Sequence, residues 1–285
     1  MTTPEQCGST HTTVTARAGS ATPLLEHGDY GEPSVFTPEN LLHEARRQKK
    51  LSHQSVPAIC AFDPDGDMLD YLQATGRARR HLAWACYHTE LYTFEHDGIT
   101  MSLIGRVVGA SFAVLVAEEL FVSGCRLLIS ITSAGQIVPL GPPPYIVLLE
   151  RALRDEGTSY HYLPPARYST LRPELRAMLY RTWDQQRLTL HIGASWTTDA
   201  PFRETATTIA AYREEGIVAV EMEAAALYAL AEAKQYEIIC FAHVTNQMAQ
   251  QGDDFEKGPD QGSHAALTVI GQVARIWRSN RAEPA

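Results

Sequence analysis

Nowhere does the 285-residue chain hold the roughly 18 consecutive apolar residues that a membrane-crossing helix needs. Its N-terminus lacks the apolar core of a signal peptide. Basic runs are just as scarce, with Arg46-Arg47-Gln48-Lys49-Lys50 the one cluster that stands out. The 24 Lys and Arg are outnumbered by 33 Asp and Glu, giving a net charge of −9, which argues against a nucleic-acid partner. The cysteines Cys7, Cys60, Cys86, Cys125 and Cys240 form no CxxC pair. Odd in number and dispersed, they point to a reducing compartment, to no metal cluster and to small buried hydrophobes. There is no internal repeat and, after the N-terminal arm, no long Gly/Ser linker. These absences fit a cytoplasmic protein with no membrane or nucleic-acid partner.

A composition of 45% apolar and 20% charged residues is enough to build one large core. Residues 1–35 are rich in Thr, Ser, Gly and Pro and read as a mobile arm, one that can also dock on a neighbouring subunit. We therefore expect an N-terminal extension over 1–50, partly mobile, and a single domain over 51–285. Helices are expected over 39–50, 67–73, 111–123, 171–186, 205–214, 224–231 and 263–279. Strands are expected over 59–62, 126–132, 188–193, 217–220 and 238–245. His96-Asp97-Gly98 marks a hairpin between 91–95 and 99–104. Residues 145–154 read as either strand or helix. Ser133-Ala134-Gly135-Gln136 reads as a small-residue turn, and 196–204 as a loop. Alternating strands and helices imply an α/β layered fold, with ligands at strand carboxyl ends.

The most informative stretch is GIVAVEMEAAALYALA, 216–231. A β-branched strand ends in Glu221, Met222 and Glu223, and a helix-forming run follows. A carboxylate at the end of a buried strand is expensive to desolvate and is usually kept for a ligand or a fixed partner. It can accept both hydroxyl hydrogens of a vicinal diol such as a ribose 2′,3′-diol. The competing reading is that Glu221 and Glu223 open the next helix, where acids suit its dipole.

Five segments, in order, resemble the nucleoside phosphorylase superfamily, most of all its uridine phosphorylase branch. They are Phe62-Asp63-Pro64-Asp65-Gly66, Val108-Gly109-Ala110-Ser111 with the helix containing Ala117-Glu118-Glu119-Leu120, and Ile131-Thr132-Ser133-Ala134-Gly135-Gln136-Ile137. The others are Val220-Glu221-Met222-Glu223-Ala224, and Val244-Thr245-Asn246-Gln247 with Ser263-His264-Ala265. The resemblance runs from about Ile59 to the C-terminus. It implies a three-layer α/β/α fold with a mixed, barrel-like central sheet, assembled as a homo-oligomer, either a dimer or a trimer of dimers. It also implies cleavage of a nucleoside N-glycosidic bond by inorganic phosphate, giving base and ribose 1-phosphate, with no cofactor and no metal.

Carried over residue by residue, the resemblance gives Glu223 the ribose hydroxyls and a catalytic role, and sets Met222 under the sugar. Glu221 is either a further substrate ligand or structural. Ser133 matches a phosphate ligand. The family's basic phosphate ligands are replaced: Gly66 and Ser130 stand where arginines are expected, and a third would fall near Tyr87 or His88. Phe62 replaces a phosphate-facing Gly. Two repairs are open, Arg106 and Arg203, against an ordinary surface role for the first and a salt bridge to Glu204 or Glu214 for the second. The alternative is water as nucleophile, as in the superfamily's hydrolytic branch, activated by Asp63 or Asp65. The plainer reading is that these two aspartates only set the turn. A binding protein that kept the ribose site and lost catalysis is the reading from a different class.

For the base, Thr205 and Thr207 stand where uridine phosphorylases carry Gln and Arg. Asn246 stands where purine-cleaving relatives carry Asp, and Asn cannot protonate a purine N7. Phe202 is either a stacking platform or a core aromatic. His161, in a stretch similar to the family's pocket rim, either contacts substrate or is structural.

Overall fold

The computed structural model describes residues 22–26, 28–248 and 254–281. The arm expected over 1–35 lies mostly outside the described residues, as does Cys7. The strands are β1 (Ile59–Asp63), β2 (Arg79–Arg80), β3 (Tyr92–His96), β4 (Ile99–Gly105), β5 (Leu127–Gln136), β6 (Tyr145–Asp155), β7 (Tyr168–Thr170), β8 (Leu190–Thr198), β9 (Ile217–Glu221) and β10 (Glu237–Asn246). The helices are α1 (Pro38–Lys49), α2 (Asp67–Ala74), α3 (Ala110–Val122), α4 (Pro173–Thr182), α5 (Ala206–Glu214), α6 (Ala224–Lys234) and α7 (Ser263–Ser279).

Five strands close on themselves in the order β10-β6-β8-β9-β5, and β5 pairs back onto β10. This ring mixes directions: β5 is parallel to β10 and antiparallel to β9, while β6 is antiparallel to β10 and parallel to β8. From β5 the sheet continues through β1, β4, β3 and β2. Helices α1, α3 and α6 pack together on one side, and α2, α4 and α7 on the other. The mixed, barrel-like three-layer fold expected from the resemblance is therefore present. Strands covered on both faces read as continuous apolar runs rather than alternating ones. All five residues of β1 and all five of β9 are buried accordingly.

The β3–β4 hairpin turns at Asp97 (φ 52°) and Gly98 (φ 70°), two left-handed residues as a tight two-residue loop requires. Helix α1 is docked through Leu42 and Ala45 against Ala85, which packs this part of the extension expected over 1–50 onto the rest of the fold. The expected turn at Ser133–Gln136 is strand: Gly135 and Gln136 pair with Val220 and Ala219 of β9, and Ser133 with His243 of β10. Likewise Trp196–Thr198 is not loop but the end of β8, paired with β6 and β9. The helix expected over 171–186 stops at Thr182, because Trp183 takes an extended conformation (ψ 128°). Residues 145–154 resolve as strand β6.

Candidate active site

Glu221 and Glu223 sit where β9 hands over to α6, and both are buried, at 3% and 2% exposure. Their partners separate them. One Glu221 oxygen accepts from Ser195 Oγ (2.9 Å) and Thr197 Oγ1 (2.5 Å). The other accepts from the backbone N–H of Glu223 and Ala224, each at 2.7 Å. An ionised carboxylate has about four acceptor positions. Glu221 has filled them inside the protein, tying β8 and β9 to the start of α6. Of the two readings of Glu221, substrate ligand or structural, these four bonds support the structural one.

Glu223 is half-satisfied. Its Oε1 accepts from the Gly109 N–H at 2.7 Å, while Oε2 is buried with no partner among the described residues. Burial, with the nearby charge of Glu221, pushes its pKa up, against the Gly109 amide and the Thr132 hydroxyl. A buried acceptor left open belongs to a missing donor. Gly109 can present its N–H because it adopts φ 90°, a conformation that side-chain-bearing residues avoid. Met222, between the two glutamates, is half-buried.

Beside Thr132 lies an acid cluster at the carboxyl end of β1. Asp63 is buried, and its Oδ2 accepts from the Leu69 N–H at 2.9 Å. Burial, together with the charges of Asp65 and Asp67, pushes its pKa up to about 6. The same oxygen of Asp65 accepts from Ser133 Oγ and from Lys257 Nζ, the latter at 3.2 Å. Lys257 also pairs with Asp67. His243 of β10 is buried and faces the cluster; its burial lowers its pKa, against the charges of Asp65 and Asp67. Asp63, Asp65, Asp67, Thr132, Ser133 and His243 surround a cavity of about 20 Å³. That volume holds about one water molecule.

The remaining expectations divide. Arg106 makes a two-pronged pair with Asp70 of α2, at 2.6 and 2.8 Å, and its stem lies over Gly66. It is an exposed cation paired with Asp70, in keeping with the surface role weighed for it. Arg203 is exposed and pairs with neither Glu204 nor Glu214. Phe202 is fully exposed, so it is no core aromatic. His161 lines a different cavity, of about 720 Å³, with Tyr30, Phe36 and Leu115, on the flank of α3. The expected substrate contact of His161 is therefore not brought to Glu223. Asn246 is committed to the chain: its Oδ1 accepts from the Met248 N–H (2.9 Å) and its Nδ2 donates to Thr245 (3.2 Å). Met248 in turn lies on Gly135, where any side chain would collide with its sulfur. Thr205 caps helix α5 through Thr208 N–H, which gives it a structural task.

Three groups escaped the sequence reading. Lys257 stands alone in a polar loop with no pattern around it. His243 looks like an interior strand residue. Glu204, half-buried near Met248 and Ile209 in a cavity of about 410 Å³, has its pKa pushed up to about 7 by burial.

Comparison with known proteins agrees with this geometry. The family model described as the Phosphorylase superfamily matches residues 58–275. A DeoD-type purine nucleoside phosphorylase of Streptococcus uberis is 24% identical over 182 residues, covering 63% of this chain and 77% of that protein. A guanosine phosphorylase of Halorubrum lacusprofundi is 25% identical over 191 residues, covering 64% and 78%. Among solved structures, a purine nucleoside phosphorylase from Toxoplasma gondii in complex with immucillin-H superposes with a TM-score of 0.66 at 14% identity, over 79% of this chain and 93% of that one.

Proposed function

Because the chain belongs to the phosphorylase superfamily, we propose that it is a nucleoside-cleaving enzyme that breaks the N-glycosidic bond, with Glu223 gripping the ribose. One observation carries this reading: the buried, unpartnered Oε2 of Glu223 beside an Oε1 already fixed by Gly109. A ribose diol supplies the missing donor. Met222 lies next to that position in sequence and supplies apolar contact to the sugar. As the bond breaks, positive charge grows at C1′ and the ring oxygen; the diol's hydroxyl donors and that growing charge favour the ionised form of Glu223 against its burial, and the carboxylate in turn stabilises the charge. Glycosidic cleavage of this kind needs no cofactor beyond its acceptor.

The family default for the acceptor is inorganic phosphate. A second reading, water, is favoured by the acid cluster. Phosphate carries a charge of about −1.5 to −2 and wants arginines or several backbone donors. Here it would meet Asp63, Asp65 and Asp67, with Lys257 already paired to two of them and Arg106 held by Asp70. In hydrolysis the water oxygen bonds to C1′ and its proton passes to an aspartate, Asp65 or Asp63. The glycosidic electron pair leaves with the base, which takes up a proton from solvent.

The test is a nucleoside panel with and without phosphate. Free ribose formed without phosphate supports water. Ribose 1-phosphate supports the family default. Binding with no cleavage of any nucleoside overturns the enzymatic reading. We propose a homo-oligomer, a dimer or trimer of dimers, acting in the cytoplasm. No helix among the described residues is long and apolar enough to cross a membrane.

A further inference from the structure

The acid cluster at the end of β1 brings three carboxylates into one turn and the first residue of a helix, and such a cluster repels itself unless a cation is held there. That cation comes from 192 positions away along the chain, where Lys257 Nζ reaches Asp65 Oδ2 at 3.2 Å and pairs with Asp67. Lys257 is not a loose surface lysine. Its segment is pinned to the end of β10 by Glu256 N–H donating to Thr245 O (2.8 Å), and by Gln247 N–H donating to the Asp254 carboxylate (2.9 Å). Burial weakens the charge of its ammonium, but the bonds and charges of Asp67 and Asp65 outweigh that and raise its pKa. The Asp65 oxygen that accepts from Lys257 also accepts from Ser133 Oγ. With its hydrogen so directed, the Ser133 hydroxyl keeps its lone pairs for an incoming donor.

We infer that Lys257 is a positioning residue for the acceptor end of the site: it holds Asp65, and through Asp65 the Ser133 hydroxyl, beside the place where the ribose is gripped. The inference rests on the proposed nucleoside cleavage for its kinetic consequence, and on geometry alone for its electrostatic one. The groups facing Asp65 are Asp63 and Asp67 around the β1 turn, Ser133 on β5, His243 on β10 and Lys257 itself, with Arg106 near Asp63 and Asp67. Lys257 is the cation that contacts Asp65 among the described residues. Removing it leaves Asp65 and Asp67 without that contact, so the Asp65 carboxylate is free to turn away from Ser133.

Lys257→Met and Lys257→Arg are compared with the wild-type protein. For Lys257→Met, kcat falls by about tenfold or more with nucleoside KM within about twofold. Lys257→Arg keeps the charge and the contact with Asp65, and restores most of the lost kcat. Carboxyl ¹³C chemical shifts of Asp65 and Asp67 at neutral pH read the loss of the Lys257 contact without any turnover. A Lys257→Met protein with wild-type kcat and unmoved carboxyl shifts overturns the inference. A wild-type protein that cleaves no nucleoside overturns the proposed function instead, and the carboxyl shifts then decide the role of Lys257 by themselves.

Discussion

Glu221 and Glu223 are separated by one residue, share one strand end and are equally buried, yet their oxygens are used differently. Glu221 is spent on Ser195, Thr197 and two backbone amides, whereas Glu223 keeps one oxygen open. The two should therefore fail differently. Glu223→Ala lowers turnover on the order of 10²–10³ while the far-ultraviolet circular dichroism spectrum of the folded protein is retained. Near-normal turnover would sink the ribose assignment. Glu221→Gln leaves a buried amide group facing donors that it cannot all accept, and lowers unfolding stability by about 1–3 kcal/mol. Urea denaturation at neutral pH reads this, and an unchanged midpoint counts against the structural role. The sequence placed both glutamates at the site because the motif is local. It could not say which of the two has a vacant oxygen, because Ser195 and Thr197 come from another strand.

At the scale of elements, what was readable followed the range of the interactions. Helix α7 spans Ser263–Ser279 as expected, because its apolar spacing is written within the segment. The β3–β4 turn follows from Asp97-Gly98 alone. Ser133–Gln136 was misread as a turn because small residues suggest one; the segment is held straight by β10 and β9, which lie about a hundred residues downstream. A still longer separation, 192 positions, hid Lys257 from Asp65. The β1–α2 turn also sets a pH dependence. Asp63 accepts from Leu69 N–H at the start of α2, but burial raises its pKa from 3.8 to about 6. A carboxyl raised on folding favours the fold when protonated. Its contribution is complete below about pH 4 and is lost as the pH rises through about 6. Asp63→Asn copies the protonated form, so it should stabilise the fold at pH 8, on the order of 1–3 kcal/mol, and make little difference at pH 4. Thermal unfolding at the two pH values checks this, and equal effects at both would contradict the buried-charge account.

For the whole molecule, the outer surface beside the site is more apolar than a solitary protein needs. Val108 is 50% exposed immediately before Gly109, and Leu115, seven residues on in α3, is 39% exposed. Phe112 lies between them, half-buried, with the His88 ring against it, and Tyr87 is exposed next to that histidine. Exposed apolar side chains grouped along one segment suit an interaction surface. The same α3 face begins at the residue whose N–H orients Glu223, so covering it would also steady the ribose grip. The expectation is that the protein sediments as a homo-oligomer, and that Leu115→Asp dissociates it by placing a charge in the covered face. Turnover per site should then fall while secondary structure is retained, because Gly109 loses its support and Glu223 loses its fixed partner. Sedimentation velocity over a range of concentrations, with circular dichroism and activity on the same samples, separates the cases. A wild-type protein that is monomeric throughout removes the oligomer, and a monomeric Leu115→Asp protein with full activity shows that each chain builds a complete site by itself.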